Sequence, residues 1–331
     1  MSLVQNITVD DVESGSRLDR WFKKRFPHIP HGKVEKLLRT GQLRVDGKRS
    51  KGNLRIESGQ VIRVPPLPEP SKVKSKDQVN SKEADFLRSI IIYEDSDLIA
   101  LNKPHGIAVQ GGTGTSKHID GMLAALGEGC RLVHRLDRDT SGVLIIAKNL
   151  STAKSLGSAF QSRKADKIYW GITNGVPKPS SGEIKGYVAK GRLDNRFGNK
   201  HEGKEIMEAV HHGAKGAKYS KTLYHTASKA GQRLAWVVMK PLTGRTHQLR
   251  LHMQLLGVPI AGDPKYMTDR PLPGGIENSL HLHARSIILP IKGKESLYIE
   301  APLPPHMNDA FKTLAFETTD PIINWDDISD G

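Results

Sequence analysis

The sequence predicts a small α/β domain followed by a larger α+β domain, which is mixed but built mainly on an antiparallel sheet with flanking helices. The length of 331 residues is typical of two domains. The composition becomes proline-rich and then serine- and lysine-rich over residues 66–85, as in a linker. Short apolar runs recur from about residue 90 to 300 without the regular strand–helix alternation of a parallel sheet. We therefore predict domains at 1–65 and 86–310, joined by the linker 66–85 and followed by a tail at 311–331.

In the small domain, apolar residues recur at helical spacing over residues 16–22 and again over 32–39, with two prolines between them. Residues 41–48 alternate apolar and polar side chains up to an Asp-Gly pair, which is the pattern of a short β-hairpin. Residues 61–64 are predicted to form the last strand. Two helices followed by strands give this domain its predicted α/β character.

In the large domain, β-branched and other apolar runs predict strands, and amphipathic stretches predict helices. The predicted strands cover residues 90–93, 98–101, 143–147, 167–172 and 234–239. The predicted helices cover residues 119–126 and 151–164, and a third begins within 241–252. Residues 175–233 show no clear period and are rich in glycine, lysine and histidine, so we interpret them as a basic insertion or a mobile loop.

The charge of the chain indicates the kind of partner it binds. The sequence has 50 Lys and Arg against 35 Asp and Glu, a formal net charge of +15, which favours a polyanion. Residues 1–65 contain 14 of these basic residues and 7 of the acidic ones, so about half of the excess lies in the small domain. Nucleic acid is favoured over a membrane, because no apolar stretch is long enough to span one and no amphipathic anchor accompanies the charge.

Cysteine content and the N-terminal residues bear on the compartment. Cys130 is the single cysteine, which excludes a disulfide within the chain and a zinc site of several cysteines. The first residues lack the basic and apolar regions of a signal peptide. We therefore expect a cytoplasmic protein that acts as a monomer.

The densest cluster of polar residues is His-Arg-Leu-Asp-Arg-Asp-Thr-Ser-Gly at positions 134–142, directly before the buried apolar run 143–147. Asp137 lies between Arg135 and Arg138, and nearby positive charge favours the ionised carboxylate. A carboxylate on a loop at the mouth of a buried strand is a candidate for catalysis. From the residues alone, a structural network of arginine and aspartate that ties the turn is the alternative.

The pattern His-Arg-Leu-Asp-x-x-Thr-Ser-Gly resembles the catalytic motif of the RluA-type pseudouridine synthases. Three further segments resemble motifs of that family: Lys-Pro-x-Gly at 103–106, Lys-x-Tyr at 167–169 and Gly-Arg-Thr-His-Gln-Leu-Arg-x-His at 244–252. The resemblance covers residues from about 90 to 305. It implies that Asp137 and Tyr169 are catalytic and that Arg245 is the ion-pair partner of Asp137. We also predict RNA contacts for Arg135, Lys103 and His247.

The small domain resembles the S4 RNA-binding module, because two helices precede Gly-x-Leu-Arg-Val-Asp-Gly-Lys at 41–48. The resemblance implies that its basic side chains contact phosphates, which positions RNA without reading its bases. These residues are Arg17, Lys33, Lys36, Arg39, Arg44 and Lys48. An ordinary solvated basic face is the alternative.

The family resemblance implies isomerisation of uridine to pseudouridine in RNA. This reaction conserves atoms and electrons, so we expect no cofactor and no metal. The target base must leave its stack in the RNA before it can react. Two roles for Asp137 stay open: attack on C1′ as a nucleophile, or removal of a 2′ proton as a base. The most similar branch acts on large-subunit ribosomal RNA, and other ribosomal sites or tRNA are the alternatives. A non-catalytic RNA-binding or ribosome-assembly factor is the alternative from another functional class. An aspartate-dependent hydrolase is disfavoured, because the sequence has no second carboxylate at a suggestive spacing from Asp137.

Overall fold

The computed structural model describes residues 4–26, 28–29, 31–68, 81–111, 117–192, 205–291, 293 and 295–329. The chain divides into two compact units, Met1–Gln78 and Val79–Gly331. The glycine-rich segment 112–116, most of the predicted linker and residues 193–204 lie outside the described residues. Each unit has hydrophobic core residues of its own.

In the small unit, two helices pack on a four-stranded antiparallel sheet. The strands are β1 (Gln5–Thr8), β2 (Arg44–Val45), β3 (Lys48–Arg49) and β4 (Val61–Val64), in the order β1-β4-β2-β3. The helices are α1 (Leu18–Arg25) and α2 (His31–Arg39). Asp46 and Gly47 have φ of 49° and 75°, the left-handed backbone that an Asp-Gly hairpin turn requires. Both predicted helices, the hairpin and the last strand are present, and β1 was not predicted.

The large unit is built on one sheet of mixed strand direction. Its described strands are β5 (Ile91–Glu94), β6 (Leu98–Lys103), β7 (Arg131–Leu132), β8 (Ser141–Ala147), β9 (Asp166–Asn174), β10 (Ser181–Arg192), β11 (Glu205–Val210), β12 (Lys218–Ala230), β13 (Leu234–Pro241), β14 (Leu282–Leu289) and β15 (Leu297–Glu300). Their order is β11-β10-β12-β13-β9-β14-β8-β6-β5, with β15 on β14 and β7 on β8. Within the described residues, β14 and β8 form the one parallel pair. The predicted α+β class with a mainly antiparallel sheet is confirmed.

The helices of the large unit connect and flank these strands. They are α3 (Ser81–Ser89), α4 (Ile119–Met122), α5 (Leu150–Gln161), α6 (Gln248–Leu255), α7 (Pro305–Thr313) and α8 (Trp325–Ser329). The Asn149 side chain accepts a hydrogen bond from the Thr152 amide at 2.8 Å and caps α5. Over the residues that the structure describes, no helix combines the length and the apolar character needed to cross a membrane.

Two predicted boundaries of the large domain are wrong. The linker does not extend to residue 85, because residues 81–85 already belong to α3, where Leu87 is fully buried. Residues from 311 onward are not a separate tail, because Phe311 and Phe316 are 0 % and 6 % exposed in a core cluster. The acidic composition of this segment concealed the few aromatic side chains that anchor it.

The interpretation of residues 175–233 as an insertion or mobile loop is also wrong. The segment contains β10 and β12, which pair with each other, and β12 pairs with β13. Ile184 and Val188 of β10 are buried, while Lys185 between them is exposed. A strand with one buried face and lysines on the other has few apolar residues, so its periodicity is weak.

Candidate active site

A cavity of about 530 Å³ opens beside the loop that precedes β8. Its walls are residues 133–137 of that loop, the end of α5, side chains of β9 and residues 241–250 before and within α6. Three of the four family-like motifs, at 134–142, 167–169 and 244–252, therefore meet in one place. This is the convergence of polar groups that is expected of an active site.

Asp137 lies in the wall of this cavity, with its side chain 19 % exposed. The Thr140 amide donates to the Asp137 carbonyl at 3.2 Å and closes the turn. Burial raises the pKa of the Asp137 carboxyl above its ordinary value, although Arg250, Arg135 and Lys265 act in the opposite direction. The nearby arginines favour the ionised carboxylate, as the sequence predicted, but desolvation is the larger effect on this pKa.

A glycine holds the strand that follows this loop against its neighbour. Gly142 has φ of 108°, and a Cβ at this position would lie 2.2 Å from the Ala284 carbonyl oxygen of β14. Ser141, one residue earlier, places its Oγ 2.9 Å from Nδ1 of His283. The Ser-Gly pair of the motif is thus a packing requirement that fixes where the Asp137 loop begins and ends.

Arg250 is the arginine that pairs with Asp137. Its Nη1 lies 3.7 Å from Oδ2 of Asp137. The same guanidinium donates two hydrogen bonds to Asp263, from Nε at 2.7 Å and from Nη2 at 2.6 Å. Arg250 and Asp263 are 2 % and 4 % exposed, so this bidentate pair is a fixed feature of the buried wall.

The prediction that Arg245 is the ion-pair partner of Asp137 is therefore wrong. Arg245 lies before the start of α6 and donates from Nε to the Tyr219 carbonyl at 2.9 Å. Arg250 lies in the first turn of α6, where its neighbours Leu249 and Leu251 are also buried. An arginine within a run of buried residues needs an acidic partner, and this signal could have identified Arg250. Arg245 still lines the cavity.

His247 adjoins the same carboxylate but as a neutral ring. Its Nε2 lies 4.0 Å from Oδ2 of Asp137, and its Nδ1 lies 3.1 Å from the Tyr266 hydroxyl. Burial, with the charges of Arg250 and Lys265, lowers the pKa of His247 to about 3. A contact between His247 and RNA stays a prediction, but a neutral ring can contribute only a hydrogen bond or a ring contact and does not neutralise the charge of a phosphate.

Gln248 holds the backbone before α6 in place. Its Oε1 accepts from the Thr243 hydroxyl at 2.6 Å and from the Arg245 amide at 3.1 Å. Its Nε2 donates to the Lys221 carbonyl at 3.0 Å and to the Thr222 hydroxyl at 2.9 Å. His247 has φ of 50°, a strained conformation that this network maintains. Sequence reasoning gave Gln248 no role.

Tyr169 faces the cavity from β9, two residues after Lys167 on the same side of the strand. Burial raises the pKa of the Tyr169 hydroxyl, and the negative charge of Asp137 raises it further. The phenol therefore stays protonated, and its ring offers a flat surface to a planar base.

The prediction that Lys103 contacts RNA is wrong. Lys103 is 0 % exposed, and its Nζ donates to the carbonyls of Pro104, Ile107 and Arg138 at 2.8, 2.8 and 2.9 Å. Burial lowers the pKa of Lys103 to about 7. Its three donors are already used, and the bond to Arg138 ties the end of β6 to the loop that carries Asp137.

The remaining predicted RNA-binding residues lie at the surface. Arg135 is exposed at the cavity rim. In the small unit, Arg17 is bound to Asp19 at 2.6 Å, so part of its charge is already compensated. The exposed basic side chains of this unit include Lys33, Lys36, Arg39, Arg44 and Lys48. Among the described residues, no group of histidine, cysteine and carboxylate side chains is arranged to hold a metal ion.

Comparison with known proteins identifies the class to which this fold and cavity belong. Residues 97–255 match the family model described as RNA pseudouridylate synthase. The ribosomal large subunit pseudouridine synthase C of Rickettsia bellii is 35 % identical over 266 residues, which cover 78 % of this chain and 85 % of that protein. The protein of the same name from Vibrio cholerae is 36 % identical over 272 residues, 80 % of each chain. The chain belongs to the RNA pseudouridylate synthase family, whose members isomerise uridine in RNA.

A solved structure is similar in fold as well as in sequence. The human RNA pseudouridylate synthase domain containing 4 superposes with a TM-score of 0.59 at 29 % identity, and the match covers 74 % of this chain and 99 % of that one. The substrate of this enzyme is therefore RNA.

Proposed function

We propose that this enzyme converts uridine to pseudouridine in large-subunit ribosomal RNA and that Asp137 is its catalytic residue. The observation that supports this role best is an accessible carboxylate held 3.7 Å from a buried, immobilised arginine. The names of the relatives support ribosomal RNA as the substrate. A net charge of +15 supports binding of a long polyanion.

The reaction breaks the bond between C1′ and N1, turns the uracil and joins C1′ to C5. Both open routes require ionised Asp137, either as the nucleophile at C1′ or as the base that removes the 2′ proton. Arg250 stabilises that anion and fixes its orientation. Tyr169 contacts the flipped uracil, and its phenol takes part in transfer of the C5 proton only as a neutral group. The C5 proton is lost to water and N1 gains a proton, so the composition of the nucleotide is unchanged and no electrons are exchanged. The proposal therefore includes no cofactor.

We assign the small unit to capture of RNA rather than to catalysis, on the S4-like order of its elements. Its exposed lysines and arginines would release counterions on binding, so affinity should fall steeply with salt. Replacing Lys33, Arg39 and Lys48 together by glutamine should weaken binding to ribosomal RNA. The magnitude of the salt slope should fall by about 0.7–0.9 for each phosphate that the variant no longer binds. If affinity and salt dependence stay as in the wild type, this assignment is wrong.

The experiment that tests the substrate is a map of pseudouridines in total RNA from cells with and without this gene. We expect specific sites to be lost from large-subunit ribosomal RNA and restored by the wild-type gene but not by one that encodes Asp137→Asn. Loss from tRNA instead would contradict the proposed substrate while leaving the reaction intact. We also propose a cytoplasmic location, because an enzyme that modifies ribosomal RNA has to reach ribosomes or their precursors.

A further inference from the structure

The charges in the cavity wall are divided between two regions. Around Asp137, the cation Arg250 is neutralised by carboxylates. The rest of the lining includes Arg135, Arg163 and Lys167, and among the described lining residues Asp137 is the one carboxylate. The part of the cavity away from Asp137 therefore has cations but no carboxylate in its described lining, which suits an anion that arrives with the substrate.

Lys167 is the cation of this group that most needs a partner. Its side chain is half-buried in the cavity wall, and no acceptor among the described residues lies within hydrogen-bonding distance of its Nζ. Burial lowers its pKa. Long charged side chains are rarely withdrawn from water without a partner. Lys103 shows the contrast, because its three donors all reach backbone carbonyls of the protein.

The surroundings of Lys167 place a second cation and an aromatic pair beside it. The charge of Lys167 contributes to the lowered pKa of His134, whose ring stacks on Phe160 with centroids 4.4 Å apart. Arg163 follows α5 with φ of 62°, at a position after a helix where glycine is the usual residue. The charge of Arg163 lowers the pKa of Lys167, while the charge of the neighbouring Asp166 raises it. The Asp166 carboxylate is bound by Lys240 at 3.0 Å, so this end of the cavity keeps an excess of positive charge.

The spacing along β9 relates this region to the reacting base. Lys167 and Tyr169 lie on the same face of the strand, about 7 Å apart. A uridine whose base rests against Tyr169 therefore has its own backbone within reach of Lys167. The cavity of about 530 Å³ has room for more than a base, so ribose and phosphate can enter with it.

We propose that Lys167, with Arg163 beside it, binds the backbone phosphate adjacent to the target uridine and so positions the flipped nucleotide over Asp137. This inference rests on the proposed function for the identity of the nucleotide, but the phosphate contact itself does not depend on which RNA is modified. Lys167 is a positioning residue, because it acts on the substrate backbone and not on the reacting atoms.

The test uses the full chain and two RNA probes. Binding of a short oligouridylate is measured over a range of salt concentrations, and tritium release from C5-labelled large-subunit ribosomal RNA transcripts gives kcat and KM. Lys167→Met removes the charge but keeps the length of the side chain. Lys164→Met is the matched control, because Lys164 is exposed, lies three residues away and does not line the cavity.

We expect Lys167→Met to weaken oligouridylate binding about tenfold and to reduce the magnitude of the salt slope by about 0.7. KM should rise by a similar factor while kcat stays within about twofold. Lys167→Arg should recover most of the affinity, and Lys164→Met should behave as the wild type. Arg163→Gln changes an exposed position and should cause a smaller loss of oligouridylate affinity and of salt dependence. If Lys167→Met does not fold, the comparison of Arg163→Gln with the wild type replaces it as the test.

Two results would overturn the phosphate contact. One is an unchanged affinity and salt slope in Lys167→Met, or in Arg163→Gln when that variant carries the test. The other is a lower kcat with unchanged KM, which would assign Lys167 to the chemical step. If the wild-type enzyme binds oligouridylate but releases no tritium from ribosomal RNA, the proposed substrate is contradicted instead. The oligouridylate affinities of the variants would still decide whether Lys167 contacts a phosphate.

Discussion

Arg250 Nη1 lies 3.7 Å from Asp137 Oδ2 at the inner wall of the cavity. The same guanidinium is fixed by two hydrogen bonds to Asp263, whose side chain is fully buried. One cation thus serves two carboxylates, a buried one that immobilises it and an accessible one that it orients. Under the proposed function, the stability of the fold and the reactivity of Asp137 therefore depend on the same side chain.

The first prediction concerns the stability that Arg250 provides. Arg250→Met should lower the free energy of unfolding by about 3–5 kcal/mol, because it leaves the buried Asp263 carboxylate without its cation, with only the amides of Lys265 and Tyr266 still donating to it. Adding Asp263→Asn to that variant should recover part of the loss. Denaturant unfolding of the two variants and the wild type measures this, and Arg250→Met with wild-type stability would show that the pair is not a structural anchor.

The second prediction concerns the dependence of kcat on pH. In the proposed reaction Asp137 acts as an ionised carboxylate, so activity should be lost as the pH falls through the pKa of this group. Burial raises that pKa above its ordinary value of 3.8, so the acid limb should lie at a higher pH than for an exposed aspartate. Arg135→Gln should move the limb higher still, since Arg135 is one of the charges that lower this pKa.

The control for the pH profile is Arg138→Gln, which removes the same charge from an exposed neighbour that is not among the main charges acting on Asp137. Measurement at saturating RNA separates the titration from any change in binding. Two results would contradict the assignment of the acid limb of the kcat profile to buried Asp137. One is a limb that moves to higher pH by the same amount in both variants, and the other is a wild-type limb at the pKa of an exposed aspartate.

The third prediction separates Arg245 from Arg250. Arg245→Gln should leave kcat within about threefold and the acid limb in place, because its Nε bonds the Tyr219 carbonyl and not Asp137. Arg250→Lys should lower kcat by about tenfold or more, because an ammonium cannot reproduce the bidentate contact with Asp263. Steady-state kinetics on the same transcript compare the two, and a larger loss of kcat in Arg245→Gln would restore Arg245 as the partner.

The fourth prediction concerns Lys103. Lys103→Met leaves three backbone carbonyls without their donor, and we expect a loss of about 3 kcal/mol or more in the free energy of unfolding. The salt slope of RNA binding should not change, because the buried ammonium contacts no phosphate. A shallower slope with unchanged stability would return Lys103 to the RNA-binding residues.

The sequence predicted the parts of the fold where one physical effect dominates. β8 is buried at all seven positions, and its residues 143–147 form the uninterrupted apolar run that predicted it. The Asp-Gly hairpin could be predicted because few residue pairs adopt the left-handed backbone conformation that its turn requires. The strands β10 and β12 could not be predicted, because only a minority of their residues are buried and the apolar alternation is therefore weak. The segment with Phe311 and Phe316 was missed because a few aromatic side chains anchor an otherwise acidic stretch.

For the site, the sequence identified the segments that meet but not the contacts between them. Asp137 and Tyr169 lie in the cavity wall, on segments that a motif could locate. The choice between Arg245 and Arg250 depends on where α6 begins and which side chain its first turn buries, and a linear motif does not specify this. Lys103 was assigned to RNA from a motif segment, but a sequence does not distinguish a lysine that contacts RNA from one whose donors all bind backbone carbonyls of the protein.

The most direct measurement of the central claim is tritium release by Asp137→Asn from C5-labelled uridine in large-subunit ribosomal RNA transcripts, with RNA binding measured alongside. The amide keeps the size and hydrogen-bonding capacity of the side chain but can act neither as nucleophile nor as base. We predict that the variant folds, binds RNA at least as tightly as the wild type and releases no detectable tritium. Substantial release by Asp137→Asn would contradict the catalytic role of Asp137.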